Sequence, residues 1–311
     1  VIVPTHRGAE RVGALLDSLR RQSVSHQVLV VDNGSSDGTS EVLAAHPEAE
    51  VLRLERNEGF GRPVNLAAQR AEGDAIVLVN DDCVCDADFV ANITAPIDAA
   101  AGVVMVAGVL RDDRDLDRID TAGMQLDSTL LVFDYLNGEP LSVLDGPPPD
   151  PVGPCGAAAA FDREAFLGAG GFDEALFAYW EDVDLVLRLR RAGGRCRLAA
   201  DARGTHLHSA TLGSGSAEKN ELIGYGRGYL LRKWSVFSPA RAPLVLARDG
   251  VICAGQLLFD RNAAGAAGRL RGWRGTEARM DYPGDVLPRS ARSRGTLVRR
   301  LRRRLRLRAS R

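Results

Sequence analysis

Within the first 110 residues, short apolar runs alternate with helical patterns, and that alternation restricts the fold more than any other feature. Val1–Val3, Val28–Val31, Val51–Leu54 and Ala75–Val79 read as strands. Between the first two, residues 9–22 place Leu15, Leu16 and Leu19 at helical spacing; helices are also expected through Val42 and Leu43 and over 63–72. Strands that alternate with helices imply a mostly parallel sheet covered on both faces. Ligands of such sheets sit at the carboxyl ends of the strands. The polar clusters Thr5-His6-Arg7, Asp32-Asn33 and Asn80-Asp81-Asp82 fall at those ends.

The adjacent carboxylates of Asn80-Asp81-Asp82 repel each other and gain little unless a cation sits between them. Hard oxygen donors of this kind suit Mg²⁺ or Mn²⁺ completed by phosphate oxygens; an Asx-rich turn capping the next helix is the structural alternative. Asp32 closes the strand of VLVVDNGSSDGT at 28–39, where it can accept hydrogen bonds from a nucleobase imide or a ribose; a turn capped by Ser36 or Asp37 is the alternative there. Asn57-Glu58-Gly59-Phe60-Gly61-Arg62, with Asn65 beyond it, permits close backbone approach to a phosphate or base. It is not a G-x-G-x-x-G and follows the third strand, which argues against a dinucleotide fold. Trp180-Glu181-Asp182-Val183-Asp184 opens a helix over about 181–192. Acids suit a helix N-terminus, but one of these carboxylates can also deprotonate a hydroxyl while the Trp stacks on a sugar ring. His206 and His208 are two apart on an expected strand and share a face.

The middle is less regular. Val103–Leu110 reads as a strand, 111–120 as a charged loop, 123–136 as a hairpin and 156–161 as an apolar run. Residues 217–235 read as a helix. The five cysteines are irregularly spaced with no CxxC pair, which supports neither a zinc site nor a disulfide framework. The same cysteine pattern fits a reducing compartment, so a cytoplasmic location is expected. The most apolar later stretch, 243–259, is interrupted by Arg248 and Asp249, so no membrane span is expected. The formal charge of -1 conceals an asymmetry: residues 294–311 hold nine Arg and no acid. Leu297, Leu301 and Leu305 recur there every four residues, and a basic amphipathic helix suits an anionic membrane surface on the inner face of the cell membrane. Nucleic acid is the competing anion and is not expected as a partner.

Together these segments resemble the inverting nucleotide-sugar glycosyltransferases of family 2 with the GT-A fold, and most closely the bacterial rhamnosyltransferase-like members that build cell-surface polysaccharides. The matching residues are VIVPTHRG at 1–8, VVDNGSSDGT at 30–39, NEGFGRPVN at 57–65, VNDD at 79–82, GGFDEALFAYWEDVDLVLRLRRAG at 170–193 and HLHSATLGSGS at 206–216. The resemblance implies a GT-A domain over 1–238, a mixed, mostly parallel sheet flanked by helices, and a helical basic extension over 239–311. It assigns Pro4, Thr5, Asp32, Gly59, Arg62, Asn80 and Asp81 to the donor nucleotide, Asp82 and His206 to the metal, Asp182 to the catalytic base, and Trp180 and Glu181 to the acceptor. The implied partners are a nucleotide-sugar donor and a glycan or lipid-linked acceptor.

Three departures stand out. Asn80 takes the place of the first Asp of the metal motif, His6 replaces a Tyr or Phe, and Gly-Ala-Ala-Ala-Ala at 156–160 replaces bulkier residues. The competing readings are a sugar nucleotidyltransferase, against which the absence of a basic Gly-rich loop after the first strand argues, and a non-catalytic nucleotide- or carbohydrate-binding protein.

Overall fold

The computed structural model describes residues 1–207, 215–284 and 287; His208, Ser209 and the basic tail at 294–311 lie outside them. The first half realises the expected alternation as β1 (Ile2–Thr5), α1 (Val12–Arg20), β2 (Leu29–Asn33), α2 (Thr39–Ala44), β3 (Glu50–Leu54), α3 (Gly61–Arg70) and β4 (Ala75–Val79). These strands lie parallel in the order β3-β2-β1-β4. The chain steps outward from β1 to β3 and then returns to β4 on the other side of β1. In open α/β sheets, ligands bind at the carboxyl ends of the strands beside such a reversal, here β1 and β4.

The second half adds β5 (Cys83–Cys85), α4 (Phe89–Thr94), β6 (Val103–Asp112), β7 (Asp115–Thr121), β8 (Met124–Leu126), β9 (Val132–Asp134), β10 (Ala158–Asp162), α5 (Arg163–Gly168), α6 (Glu181–Arg191) and β11 (Arg195–His206). The sheet continues from β4 through β10, β6 and β11 to β5. β10 runs antiparallel to both of its neighbours, which makes the sheet mixed. Successive residues face opposite sides of a strand: Ile2 joins a core with Val31, Leu78, Phe161 and Leu185, while Val3 joins a second core with Leu15, Val30, Val79 and Phe89. Burial on both faces explains why these strands are continuous apolar runs. Ala158, Ala159 and Ala160 are fully buried in the middle of the sheet, so most of the run of small residues at 156–160 serves packing.

The expected charged loop at 111–120 is instead mostly strand. β6 extends to Asp112 and β7 pairs back on it. Charges at Asp115, Asp117 and Arg118 are exposed while Ile119 and Thr121 are buried, the pattern of an edge strand protected by charge. The hairpin expected over 123–136 forms as β8 and β9.

Three helices close the described chain: α7 (Ala217–Lys233), α8 (Ala242–Gly255), which continues through a π-helical turn at Gln256–Asp260, and α9 (Ala264–Arg274). α7 and α9 pack backbone to backbone. A Cβ on Gly228 would lie 1.9 Å from the Arg269 carbonyl oxygen, and one on Gly272 would lie 1.8 Å from that of Tyr225. Only glycine permits this approach. α8 is held electrostatically. The fully buried Arg227 side chain of α7 donates to Asp249 at 2.9 and 3.2 Å and to the Thr129 carbonyl at 2.7 Å, and Arg269 donates to Asp249 at 2.8 Å. Arg248 pairs with Asp127. The two charges expected to interrupt 243–259 therefore leave the helix intact, because both turn inward and are paired. By length and composition alone, Ala242–Asp260 is long and apolar enough to cross a membrane.

A buried cation deprived of its partner keeps its desolvation penalty. Asp249→Ala should therefore destabilise the fold by about 3–5 kcal/mol, read as a lower urea midpoint, and adding Arg227→Met should recover part of the loss. A loss of a few tenths of a kcal/mol would show that the pair is not structural.

Candidate functional site

At the carboxyl end of β4 the two adjacent acids have different surroundings. Asp81 accepts hydrogen bonds from the Thr5 hydroxyl at 2.6 Å and from Arg11 at 3.1 Å, which ties β4 to β1 and α1. Burial nevertheless raises its pKa above the ordinary carboxylate value, with the Thr5 and Arg11 contacts opposing that rise. Asp82 lies 3.2 Å from Nε2 of His206. Between strand and acids, the buried Asn80 Oδ1 has no hydrogen-bond partner among the described residues, a cost normally offset by a ligand or water.

Pairing across the sheet brings His206 to Asp82. β5 follows Asp82 directly and runs antiparallel to the end of β11, with Cys83 opposite His206, and the Leu207 N–H donates to the Asp82 carbonyl at 2.8 Å. The other ring nitrogen of His206, Nδ1, lies 2.8 Å from Asp120 of β7. Burial alone would lower the imidazole pKa, but the contacts with Asp120 and Asp82 overcome it and raise the value to about 10. Asp82, Cys83 and His206 present ligand atoms within 4.8 Å of one another. Burial pushes the Cys83 thiol well above its ordinary pKa, so it is the poor donor of the three. The carboxylate suits a hard divalent cation, the imidazole is a borderline donor beside it, and the orphaned Asn80 oxygen lies two residues before Asp82. A carboxylate behind a ligating histidine is the usual way of fixing its ring.

Asp182 reaches the same place from α6. Because β10 is antiparallel to β4, its entry segment lies beside the end of β4: the Asn80 N–H donates to the Ala157 carbonyl at 3.4 Å. One residue earlier, the Gly156 N–H donates to Asp182 Oδ2 at 3.3 Å. Cys155 in turn lies 3.5 Å from the Thr121 hydroxyl, next to Asp120. A closed series of contacts therefore joins Asp82, His206, Asp120, Thr121, the segment 155–157 and Asp182.

Burial raises the Asp182 pKa to about 6, with the Gly156 and Val183 N–H groups opposing the rise and Asp134 adding to it. Glu181 is raised well above its ordinary value by burial and by Asp182, and its Oε2 has no hydrogen-bond partner among the described residues. Burial thus raises both carboxyls, and the charge of Asp182 raises Glu181 further. Tyr179 and Trp180, which lead into α6, both have left-handed backbones, φ 68° and 77°. Such strain in bulky residues persists only where the surroundings enforce it. Here Trp180 Nε1 donates to the Ile223 carbonyl at 2.9 Å, Arg227 lies over its ring, and a Cβ on Gly226 would lie 2.4 Å from the indole.

Trp180 is therefore not the open stacking platform expected of it. Its ring is buried against α7, two residues before Asp182. Glu181 is likewise buried rather than exposed toward an acceptor. Asp184 is structural: it is fully buried and accepts from Arg188, Lys233 and the Trp234 indole.

On the other flank, Asp32 and Asn33 end β2. The Ser35 N–H donates to Asp32, and Arg53 pairs with it at 3.2 Å. Asn33 donates to the Gly59 carbonyl at 2.7 Å and accepts from the Glu58 N–H. Gly59 has φ 86°, and a Cβ there would lie 2.2 Å from the Phe177 carbonyl oxygen. Beside it opens a cleft of about 520 Å³ lined by Arg56, Asn57, Glu58, Arg62 and Phe177. Arg62 is partly engaged, paired with Glu58 and Glu174. Pro4 lies in β1 between these flanks. Arg11, Asp120 and Asp134 were not singled out in the sequence: Arg11 belongs to no motif, and the two acids sit in stretches read as loop and hairpin.

The family model "Glycosyl transferase family 2" matches residues 1–166. The N-acetylglucosaminyl-diphospho-decaprenol L-rhamnosyltransferase of Mycobacterium tuberculosis is 33% identical over 211 residues, covering 59% of this chain and 66% of that protein. The poly(ribitol-phosphate) beta-N-acetylglucosaminyltransferase TarS of Staphylococcus aureus is 32% identical over 105 residues, covering 32% of this chain and 18% of that protein. The match thus spans less than two thirds of the length of either relative. Among solved structures, GalNAc-T7 with UDP, GalNAc and Mn²⁺ superposes with a TM-score of 0.59 at 14% identity, over 89% of this chain and 54% of that one. The mannosyltransferase PcManGT from Pyrobaculum calidifontis, with GDP-Man and Mn²⁺, gives 0.52 at 20% identity, over 89% and 75%. The mixed sheet, its flanking helices and these superpositions are those of a GT-A fold. By its sequence match over more than half its length, this chain belongs to glycosyl transferase family 2.

Proposed function

We propose that this chain transfers a sugar from a nucleoside-diphosphate donor to a hydroxyl of a glycan or lipid-linked acceptor, in one displacement that inverts the anomeric carbon. The observation that carries the reading is the junction at 155–157, where the Asn80–Asp82 end of β4 and the Asp182 carboxylate meet across three residues. Asp32, Asn33 and the cleft beside Gly59 hold the nucleoside at the carboxyl ends of β2 and β3. Asp82 and His206 would hold Mg²⁺ or Mn²⁺, with Asn80 beside them. Such a cation, when bound, neutralises charge on the departing diphosphate. Asp182 accepts the proton of the acceptor hydroxyl as its oxygen attacks. Trp180 keeps that carboxylate aimed. The solved relatives crystallised with nucleotide or nucleotide-sugar and Mn²⁺ support the donor class and the cation. The mycobacterial relative, named for a lipid-diphosphate acceptor, supports a lipid-linked one.

Release of free nucleoside diphosphate from a nucleotide-sugar, rather than formation of pyrophosphate, is the direct test. With Asp182 titrating at about 6, kcat/KM should climb as the pH rises through that value and level off above it. Asp182→Asn should lower turnover on the order of 10³-fold while the thermal shift caused by donor persists; undiminished turnover would remove Asp182 from the mechanism.

His206 makes a second, opposite use of pH. Its raised pKa means that the cation-free site carries an imidazolium at neutral pH. The two contacts stabilise that form fully below the free-imidazole value, and the contribution is lost as the pH rises through about 10. A cation on Nε2 must displace this proton, so Mn²⁺ affinity in the presence of nucleoside diphosphate should rise with pH. Calorimetry at pH ~8 in buffers of differing ionisation enthalpy should find about one proton released. His206→Gln should weaken Mn²⁺ affinity and abolish the proton release; an unchanged affinity would show that His206 is not a ligand.

A further inference from the structure

α8 is built inside out. Its protein-facing side carries charge: Asp249 pairs with Arg227 and Arg269, and Arg248 pairs with Asp127. Its outward side is apolar. Leu244, Leu246, Val251, Leu257 and Leu258 are all exposed, Leu246 by 62% and Leu258 by 72%. Pro243, Ala247, Gly250 and Ala254 fill the positions between them, so no charged side chain interrupts this face. Over its most apolar 18-residue window the helix has a mean hydropathy of 1.4, and only 11% of that window is buried. An apolar strip of this length is not left to water without a reason.

The inward charges decide how such a helix meets a bilayer. Threading it across would pull Asp249 from Arg227 and leave a buried guanidinium without its carboxylate. Lying in the plane of the interface keeps every inward pair and buries the outward leucines. The surroundings match an anionic surface: Arg261, Arg274 and Arg279 are exposed on the segment that follows, and the chain beyond Leu287 contains eleven Arg and no acid. Leu270, exposed on α9, extends the apolar area.

We propose that the outward face of α8 and its π-helical turn is an in-plane docking surface for an anionic lipid bilayer. The inner face of the same helix holds Arg227, which lies over the Trp180 ring at 5.8 Å, so the docked helix is one residue contact away from the segment that aims Asp182. This surface shares no residue with the sugar-transfer site and stands or falls separately from it.

The test is co-sedimentation of the full chain with vesicles of phosphatidylcholine, with and without phosphatidylglycerol. The paired variant Leu246→Gln/Leu258→Gln alters only exposed side chains; circular dichroism checks its fold, and Leu244→Gln/Val251→Gln serves as an independent second pair. The full chain should bind the anionic vesicles, and each pair should lower the partition coefficient about tenfold with an unchanged melting temperature. A chain ending at residue 287 should bind more weakly yet remain sensitive to the same pairs. Equal binding by wild type and both pairs would overturn the proposal, because the arginine tail would then suffice. Binding by the chain ending at residue 287 that neither pair lowers would overturn it by placing the lipid contact elsewhere. A dimer that both pairs dissolve, with no vesicle binding, would overturn it in favour of a second copy.

Discussion

The antiparallel course of β10 between β4 and β6 is the constraint from which the site follows. The four parallel strands alone would leave Asp182 away from the end of β4. Because β10 enters where β4 leaves, its leading residues stand beside Asn80, and the Gly156 N–H meets Asp182 from a helix that begins 25 residues later. The fully buried alanines at 158–160 make that insertion possible, since both cores press on them. Gly156 itself sits close to Phe60, so the same turn also touches the flank assigned to the donor.

Around this junction the carboxylates are sorted by environment rather than by sequence. Asp81 is tied to Thr5 and Arg11, Asp82 faces His206, Asp184 is locked among Arg188, Lys233 and Trp234, and Glu181 is buried without a partner. At Asp182, burial raises the pKa to about 6 while the Gly156 and Val183 N–H donors oppose the rise. A run of acids at a helix start is electrostatically favourable whatever its function. That is why counting acids in Glu181-Asp182-Val183-Asp184 separates none of these roles.

The C-terminal helices join the body through charge and close packing. Arg227 stands between Asp249 of α8 and the Trp180 ring, two residues before Asp182. Glycines on α7 and α9 let the two backbones touch, which fixes α7 and with it Ile223 and Gly226 against the strained Tyr179-Trp180 turn. The helical extension therefore supports the geometry of α6 as well as offering an outward apolar face.

Local pattern determined much of this protein. The apolar runs of β1 to β4, the glycine demanded at position 59 and the polar strand ends at Thr5, Asp32 and Asn80 follow from period, burial on two faces and backbone sterics, which act over a few residues. The ordered motifs from Val1 to Asp82 and from Gly170 to Gly193 carry the family as well. What local pattern did not contain is which distant groups meet. Asp120 lies behind His206 only because β7 folds back on β6, and Trp180 is buried only because α7 crosses it, 43 residues away at Ile223. In α8 the same sequence of leucines and charges fits a core helix, a span or a surface helix. Ion pairs with Arg227, Arg269 and Asp127, formed across long stretches of chain, turned the charges inward and left the leucines outside.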